Sequence, residues 1–591
     1  MKIYTYLAIV MITSLTFAQT PEEKKKITSQ YDVSKLNELK ESFIISDEIT
    51  NERIETYIAQ HNIEKRITLS NGTVMQIVDI IDGKPLYVST DNANAAKSTK
   101  TQFLHNGGGL GLNLEGQNMT IGVWDGGAVL VTHQEFQNAT NTGSRAIIGD
   151  GTIATSDHGT HVGGTMVAKG ANASAKGMAP KANLISFNWD NDETEVVAQI
   201  TNNALLLSNH SYGVPVLDDM GNPNAPTWMM GCYNTDARNW DIIAYNAPYY
   251  LQVASAGNSG TSEYSGGTAD GYDKLTTDKN AKNNLIVANA NPFVLPNGFV
   301  NLIANSSSSQ GPSDDGRVKP DIAADGTNLF SSIGTSNTAY ATFSGTSMAS
   351  PNTSGTLLLL QQYYNDLHSS YMRASTLKAL VCHTAGDDFS KPGPDPVFGW
   401  GILDAKVSAE TMLKATTGEA LITEQNLANG STYTITFSAS GTSKLSATIC
   451  WTDPAGVDRT GIINSPLPAL VNDLDIRLVD QSNNTYFPWK LDLNNIAGNA
   501  IKGDNIVDTV EKIEITTPPA GTYTLTVSHK GTLTNGNQPF SLVLTGSDLT
   551  LGVDENSISN VKIWPNPVRD LLNINFKSID NLTKVSLYDL H

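Results

Sequence analysis

Cysteine is scarce in this chain: Cys232, Cys382 and Cys450 are the three among 591 residues, far apart and without a CxxC or Cys/His ligand spacing. That argues against a disulfide framework and a thiolate metal cluster. Buried free thiols are the simpler reading, and a single bridge in an oxidising compartment stays open. Positive charge is short as well, with 38 Lys and Arg against 58 Asp and Glu and a net charge of -20. A nucleic-acid surface needs clustered cations on one face, so that class of partner is set aside. Beyond residue 18 no apolar run approaches the roughly 20 residues that span a bilayer, so the mature chain is expected to carry no membrane span.

What is present points outward from the cell. Lys2 precedes an apolar run from Leu7 to Phe17, and Thr16 and Ala18 stand where a signal peptidase reads small residues. Residues 1–18 are therefore expected to be an export signal and the protein to be secreted, to the medium or the outer cell surface. With 39% hydrophobic and 16% charged residues and 49 glycines, the remainder reads as globular and loop-rich, and its length requires several folded units.

Residues 19–95 combine a helical pattern over Val33 to Gln60 with two alternating runs separated by Asn71-Gly72, a pair that favours a hairpin turn. A small α+β unit is expected there. Over 96–413, short β-branched runs (Met119 to Trp124, Asn183 to Phe187, Tyr250 to Ala254) alternate with helical patterns, the signature of an α/β parallel sheet flanked by helices. Over 418–548 the pattern becomes alternating segments punctuated by turns, among them Thr432 to Phe437, Lys444 to Trp451 and Phe540 to Thr545, which predicts an all-β sandwich or jelly roll. A linker then leads to a tail, 554–591, containing Trp564-Pro565-Asn566-Pro567.

Three segments of the α/β region carry chemistry. Asp125 ends an apolar strand in Ile121-Gly-Val-Trp-Asp-Gly-Gly127; ligands of open parallel sheets gather at such carboxyl ends, although a turn-capping Asp would look the same. His158 and His161 sit three apart among glycines in Asp157-His-Gly-Thr-His-Val-Gly-Gly-Thr165. They lack the Glu and the four-residue spacing of a helical zinc motif, and the glycines let a second backbone approach the imidazole. Ser347 opens an apolar helix in Phe343-Ser-Gly-Thr-Ser-Met-Ala-Ser-Pro351, where a plain helix cap is the alternative.

Taken together, in the order Asp, His, Ser, these segments resemble the motifs of the subtilases, the subtilisin-like serine peptidases. The resemblance implies a subtilisin-like fold and a secreted serine endopeptidase acting on proteins and peptides, with Asp125, His158 and Ser347 as its triad and His161 outside the chemistry. It further implies Asn258, in Ala254-Ser-Ala-Gly-Asn-Ser-Gly260, as an oxyanion donor, and Ser211, Tyr212, Gly213, Ala256 and Gly257 as substrate-binding positions. The 309–321 stretch matches a segment the family retains and is read as structural. Residues 19–95 would be a propeptide, the 418–548 region a C-terminal β-sandwich, and 554–591 part of a type IX secretion sorting domain, with the secretion machinery as partner. No cofactor is required for the chemistry. A structural calcium ion is allowed; Asp473 and Asp475 are candidate ligands for it, with solvated turn carboxylates the favoured reading. The primary pocket is expected to be broad or apolar in preference. Two other readings are a catalytically silent surface binding or adhesion protein on the same scaffold and a zinc hydrolase using His158 and His161.

Overall fold

The computed structural model describes residues 20–551 except 62, 69–73, 82–83, 90–95, 219, 295–299 and 389–390, and also 561–564 and 573–576. The export signal, the Asn71-Gly72 turn and most of the 554–591 tail lie outside the described residues.

The N-terminal unit comprises α1 (Pro21–Thr28), α2 (Val33–His61) and an antiparallel sheet of β1 (Arg66–Thr68), β2 (Val74–Ile81) and β3 (Lys84–Ser89). Helix α1, which the sequence did not announce, starts with a reciprocal capping box between Thr20 and Glu23. On α2 the buried residues Leu36, Leu39 and Phe43 recur at helical spacing and make one apolar stripe.

The central unit contains β4 (Thr120–Asp125), β5 (Ala146–Ile148), α3 (Asp157–Val167), β6 (Asn183–Asn188), α4 (Asp192–Asn203) and β7 (Leu207–His210). It continues with α5 (Thr235–Asn246), β8 (Leu251–Ser255), β9 (Leu285–Ala290), the ribbon β10 (Phe293–Val294) and β11 (Val300–Asn301), and β12 (Ile322–Asp325). A second ribbon, β13 (Leu329–Ser332) and β14 (Tyr340–Phe343), precedes α6 (Thr346–His368), α7 (Ala374–Thr384) and α8 (Ala405–Thr417). Seven strands form one parallel sheet in the order β12-β9-β8-β7-β4-β6-β5. The chain builds the sheet to one side of β4 and then to the other, so a crevice opens beyond the carboxyl end of β4. Asp125 is the last residue of that strand. Helix α6 packs on β7, β8, β9 and β12 through a fully buried first half that includes Leu357 to Leu360. Helix α2 of the N-terminal unit lies against α4 and α5.

After α8 come β15 (Ala420–Ala428), β16 (Tyr433–Ala439), β17 (Leu445–Cys450), β18 (Leu474–Asp480), β19 (Thr485–Tyr486), the ribbon β20 (Trp489–Lys490) and β21 (Ile501–Lys502), β22 (Val510–Ile515), β23 (Gly521–His529), β24 (Asn537–Thr545) and β25 (Thr550–Leu551). They form two antiparallel sheets, β15-β24-β17-β22 and β19-β18-β23-β16-β25, that share one core including Ile449 and Leu542 from the first and Ile476 and Leu525 from the second. Strand β15 was not foreseen, because most of its residues are half-buried against α8 and do not alternate cleanly. The first sheet is fused to the central unit. Cys450, Val510 and Val543 belong to the central hydrophobic core, and His383 of α7 bonds Thr448 and Thr545, each at 2.8 Å.

Charges are buried at this junction in closed sets. Lys282 lies 2.6 Å from Asp241 and 3.6 Å from Asp453, while Asp321 holds both Lys319 (2.5 Å) and Lys378 (2.7 Å). The 309–321 stretch supplies part of this framework, including the buried Arg317–Asp315 pair at 2.9 Å. All three cysteines are buried and free.

Candidate active site

Asp125 and His158 meet where β4 ends and α3 begins. Ser156 caps α3 by accepting from the Gly159 backbone N–H at 3.2 Å, which places His158 in the first helical turn. Its Nδ1–H donates to Asp125 Oδ1 over 2.7 Å, and the Gly126 N–H donates to the same oxygen at 2.8 Å. Both side chains are buried. Asp125 Oδ2 is buried too and finds no hydrogen-bond partner among the described groups, so its charge is left to act on the imidazole. Gly159 is required for this approach: a Cβ there would lie 2.6 Å from the Gly127 carbonyl oxygen.

His161 is one turn further on and faces elsewhere. Its Nε2 contacts the Leu329 carbonyl at 3.2 Å, and its ring stacks on Phe343 with centroids 4.8 Å apart. Burial, reinforced by the neighbouring His158, pushes its pKa down to about 3, so it is a neutral core residue at ordinary pH. Among the described residues no cluster of three His, Cys, Asp or Glu side chains is arranged to hold a metal.

Ser347 is the second residue of α6, which packs against α3. Its hydroxyl donates to the Ser211 carbonyl at 2.9 Å, and the Ser211 hydroxyl donates back to the Ser347 carbonyl at 2.9 Å. Asn258 is oriented by the same helix start: its Oδ1 accepts from the Thr346 N–H (3.0 Å) and the Thr346 hydroxyl (3.1 Å), leaving the Nδ2 amide as its donor end. Thus the helix N-terminus, which has backbone donors to spare, fixes the amide that stands beside Ser347.

A cavity of about 220 Å³ opens next to Ser347 and Asn258. Of the positions expected to bind substrate, Tyr212, Gly213, Ala256 and Gly257 line it, whereas Ser211 is bonded to Ser347. Gly257 has φ of 102°, and a Cβ there would stand 3.0 Å from Ser309 Oγ across the wall. Other lining residues were not foreseen. Lys274, Thr276 and Lys279, with Ser259, Ser262 and Ser309, bring hydroxyls and amines to a cavity whose preference the sequence suggested to be broad or apolar. These groups brace the walls: Thr276 donates to the Val214 carbonyl (2.7 Å), Lys279 to the Tyr212 carbonyl (2.8 Å), and the Ser259 N–H to Ser309 Oγ (3.0 Å).

Asp473 and Asp475 are not the solvated turn carboxylates expected. The Lys530 ammonium lies 3.2 Å from the first and 2.8 Å from the second, and Arg477 also binds Asp475 at 2.8 Å, so cationic side chains already fill the position a calcium ion would take.

Residues 116–401 match the model of the subtilase family. C5a peptidase of Streptococcus pyogenes is 38% identical over 135 residues, which are 22% of this chain and 12% of that protein. An alkaline proteinase of Hapsidospora chrysogena is 29% identical over 239 residues, 39% of this chain and 50% of the relative. The chain thus spans half or less of the length of these relatives. Among solved structures, the protease domain of PatA aligns with 51% of this chain and 96% of its own, at 19% identity and a TM-score of 0.36. Residues 116–401 are therefore the part of the chain that is similar to the subtilase family.

Proposed function

We propose that the chain is a secreted serine endopeptidase that cleaves proteins through an acyl-enzyme on Ser347. The observation that carries this reading is the Asp125–His158 contact of 2.7 Å at the start of α3, which packs against α6, the helix whose Ser347 lines a cavity with Asn258. Ser347 Oγ attacks the scissile carbonyl carbon while His158 Nε2 takes its proton and later passes it to the leaving amine. Asp125 holds the tautomer with hydrogen on Nδ1 and stabilises the imidazolium. The developing oxyanion receives hydrogen bonds from Asn258 Nδ2 and the Ser347 backbone N–H; loss of one such side-chain donor costs about 2.7–4 kcal/mol in subtilisin. Water then repeats the sequence on the acyl-enzyme.

In this reading residues 19–95 act as a propeptide, resting with α2 on α4 and α5, and the tail from 554 belongs to a secretion signal. The antiparallel sheets after α8 serve stability, since they share the core of the catalytic unit. The proposed steps use no metal, and Lys530 already occupies Asp473 and Asp475, the pair considered as calcium ligands.

The test is labelling of the purified chain with a fluorophosphonate, followed by peptide mapping. Modification at Ser347, absent in Ser347→Ala, supports the assignment. A folded chain that stays unlabelled while Ser347→Ala binds surface ligands as the parent does would favour the adhesion reading. Chelator-dependent activity indifferent to the fluorophosphonate would favour the zinc hydrolase.

A further inference from the structure

Buried cations in this protein come with partners. Among the described residues Lys279, Lys282, Lys319, Lys378 and Lys512 are buried and each forms an ion pair with a carboxylate. Lys274 is buried to 5% exposure and forms none; its Nζ donates to the Gly260 carbonyl at 2.5 Å. It lines the cavity beside Ser347 and Asn258. A desolvated ammonium with no carboxylate within ion-pair distance is costly, and a ligand carboxylate that reaches it lowers that cost. Burial holds the Lys274 amine below its usual pKa, with Glu263 opposing, so an arriving carboxylate would also favour its charged form.

The rest of the cavity suits a short polar side chain. Serine and threonine residues line the same cavity, and Lys279 is occupied by Asp278 and the Tyr212 carbonyl, which leaves Lys274 to meet the incoming group. Resting on the peptidase reading above, we infer that Lys274 is the specificity-determining residue of the primary pocket and that the enzyme cleaves after acidic residues, the substrate side chain on the acyl side of the scissile bond being Glu or Asp. This replaces the broad or apolar preference expected from the sequence.

The experiment compares four peptides differing only at that position, Glu, Gln, Leu and Lys, in the full chain and in Lys274→Met and Lys274→Glu. The parent should cleave after Glu at least about 30-fold more efficiently than after Gln or Leu. Lys274→Met should abolish the Glu-over-Gln preference, and Lys274→Glu should move it towards Lys. Preference for Leu in the parent, or a Glu preference that survives Lys274→Met, overturns the proposal. Binding of the corresponding product peptides to Ser347→Ala separates the two claims, because it needs no catalysis. Tighter binding of the Glu-ended product, lost on adding Lys274→Met, sustains the pocket assignment even if Ser347 proved unreactive; equal binding of all four products contradicts it.

Discussion

Two regions of this chain bury lysines, and only the second, where Lys279 is paired with Asp278, leaves one of them without a carboxylate in contact. At the junction between the parallel sheet and the C-terminal sheets, Lys282 is closed by Asp241 and Asp453, and Lys319 and Lys378 share Asp321. In the cavity beside Ser347, Lys274 is left with a backbone carbonyl. The junction completes its electrostatics within the protein, so its charges belong to folding. The cavity leaves one charge for something else to complete, which marks it as a place for a ligand. Burial alone does not distinguish them; pairing does.

The comparison can be broken most severely through the catalytic charges. Asp125→Asn should leave thermal stability close to the parent's and lower kcat/KM by about 10⁴, the loss associated with a mis-set histidine tautomer in chymotrypsin-like enzymes. Steady-state kinetics alongside a melting curve check both halves. At the junction the pattern should reverse. Asp321→Ala strands Lys319 and Lys378 in the interior and should destabilise the fold by about 3–5 kcal/mol while the surviving folded fraction keeps its kcat, measured by denaturant unfolding and active-site titration.

A third contact lies between these extremes. Asp47 on α2 sits half-buried against α4, with Thr194 as a partner at 3.4 Å, and burial raises its pKa to about 6. Asp190, Asp192, Glu193, Asp236, Asp278 and Lys279 line the shared cavity from the other side, with Ser46, Asp79 and Lys65 from the N-terminal unit. Burial likewise raises Asp192, to about 7. A carboxyl whose pKa is higher in the docked state favours docking while protonated, so the stabilisation is full below about pH 4 and is lost as pH rises through about 6 to 7. The N-terminal unit should therefore be held about tenfold more tightly at pH 5 than at pH 8, a figure kept modest because Asp47 is partly screened by solvent. Hydrogen exchange across α2 at the two pH values measures it, and Asp47→Asn should flatten the difference. The smallest effect belongs to the unpaired cation: Lys274→Met should change stability by no more than about 1 kcal/mol, because it removes a desolvated charge and a single hydrogen bond.

Much of the site could be read in the sequence because its residues sit in short contiguous segments. Asp125, His158 and Ser347 each fall where a strand ends or a helix begins, and the flanking glycines announce the close backbone approach that Gly159 makes to Gly127. The parallel strands were legible for the same reason: they are buried on both faces and read as apolar runs, as β8 and β9 do. The Lys274 environment was not legible. Lys274 lies in Gly271-Tyr-Asp-Lys-Leu-Thr-Thr277, a loop with no periodicity, where a lysine looks like any solvated one; its meaning depends on burial and on the absence of a paired carboxylate among the described residues, neither of which a local pattern encodes. Asp473 and Asp475 failed for a related reason, since Lys530 reaches them from another strand end.

Reaction of the parent and Lys274→Met with two peptidyl phosphonates, one carrying Glu and one Leu next to phosphorus, tests nucleophile and pocket together by intact mass and peptide mapping. The account predicts a single adduct on Ser347, formed faster by the Glu reagent in the parent and by the Leu reagent in Lys274→Met. An adduct elsewhere, or a Leu reagent that is faster in the parent, would contradict it.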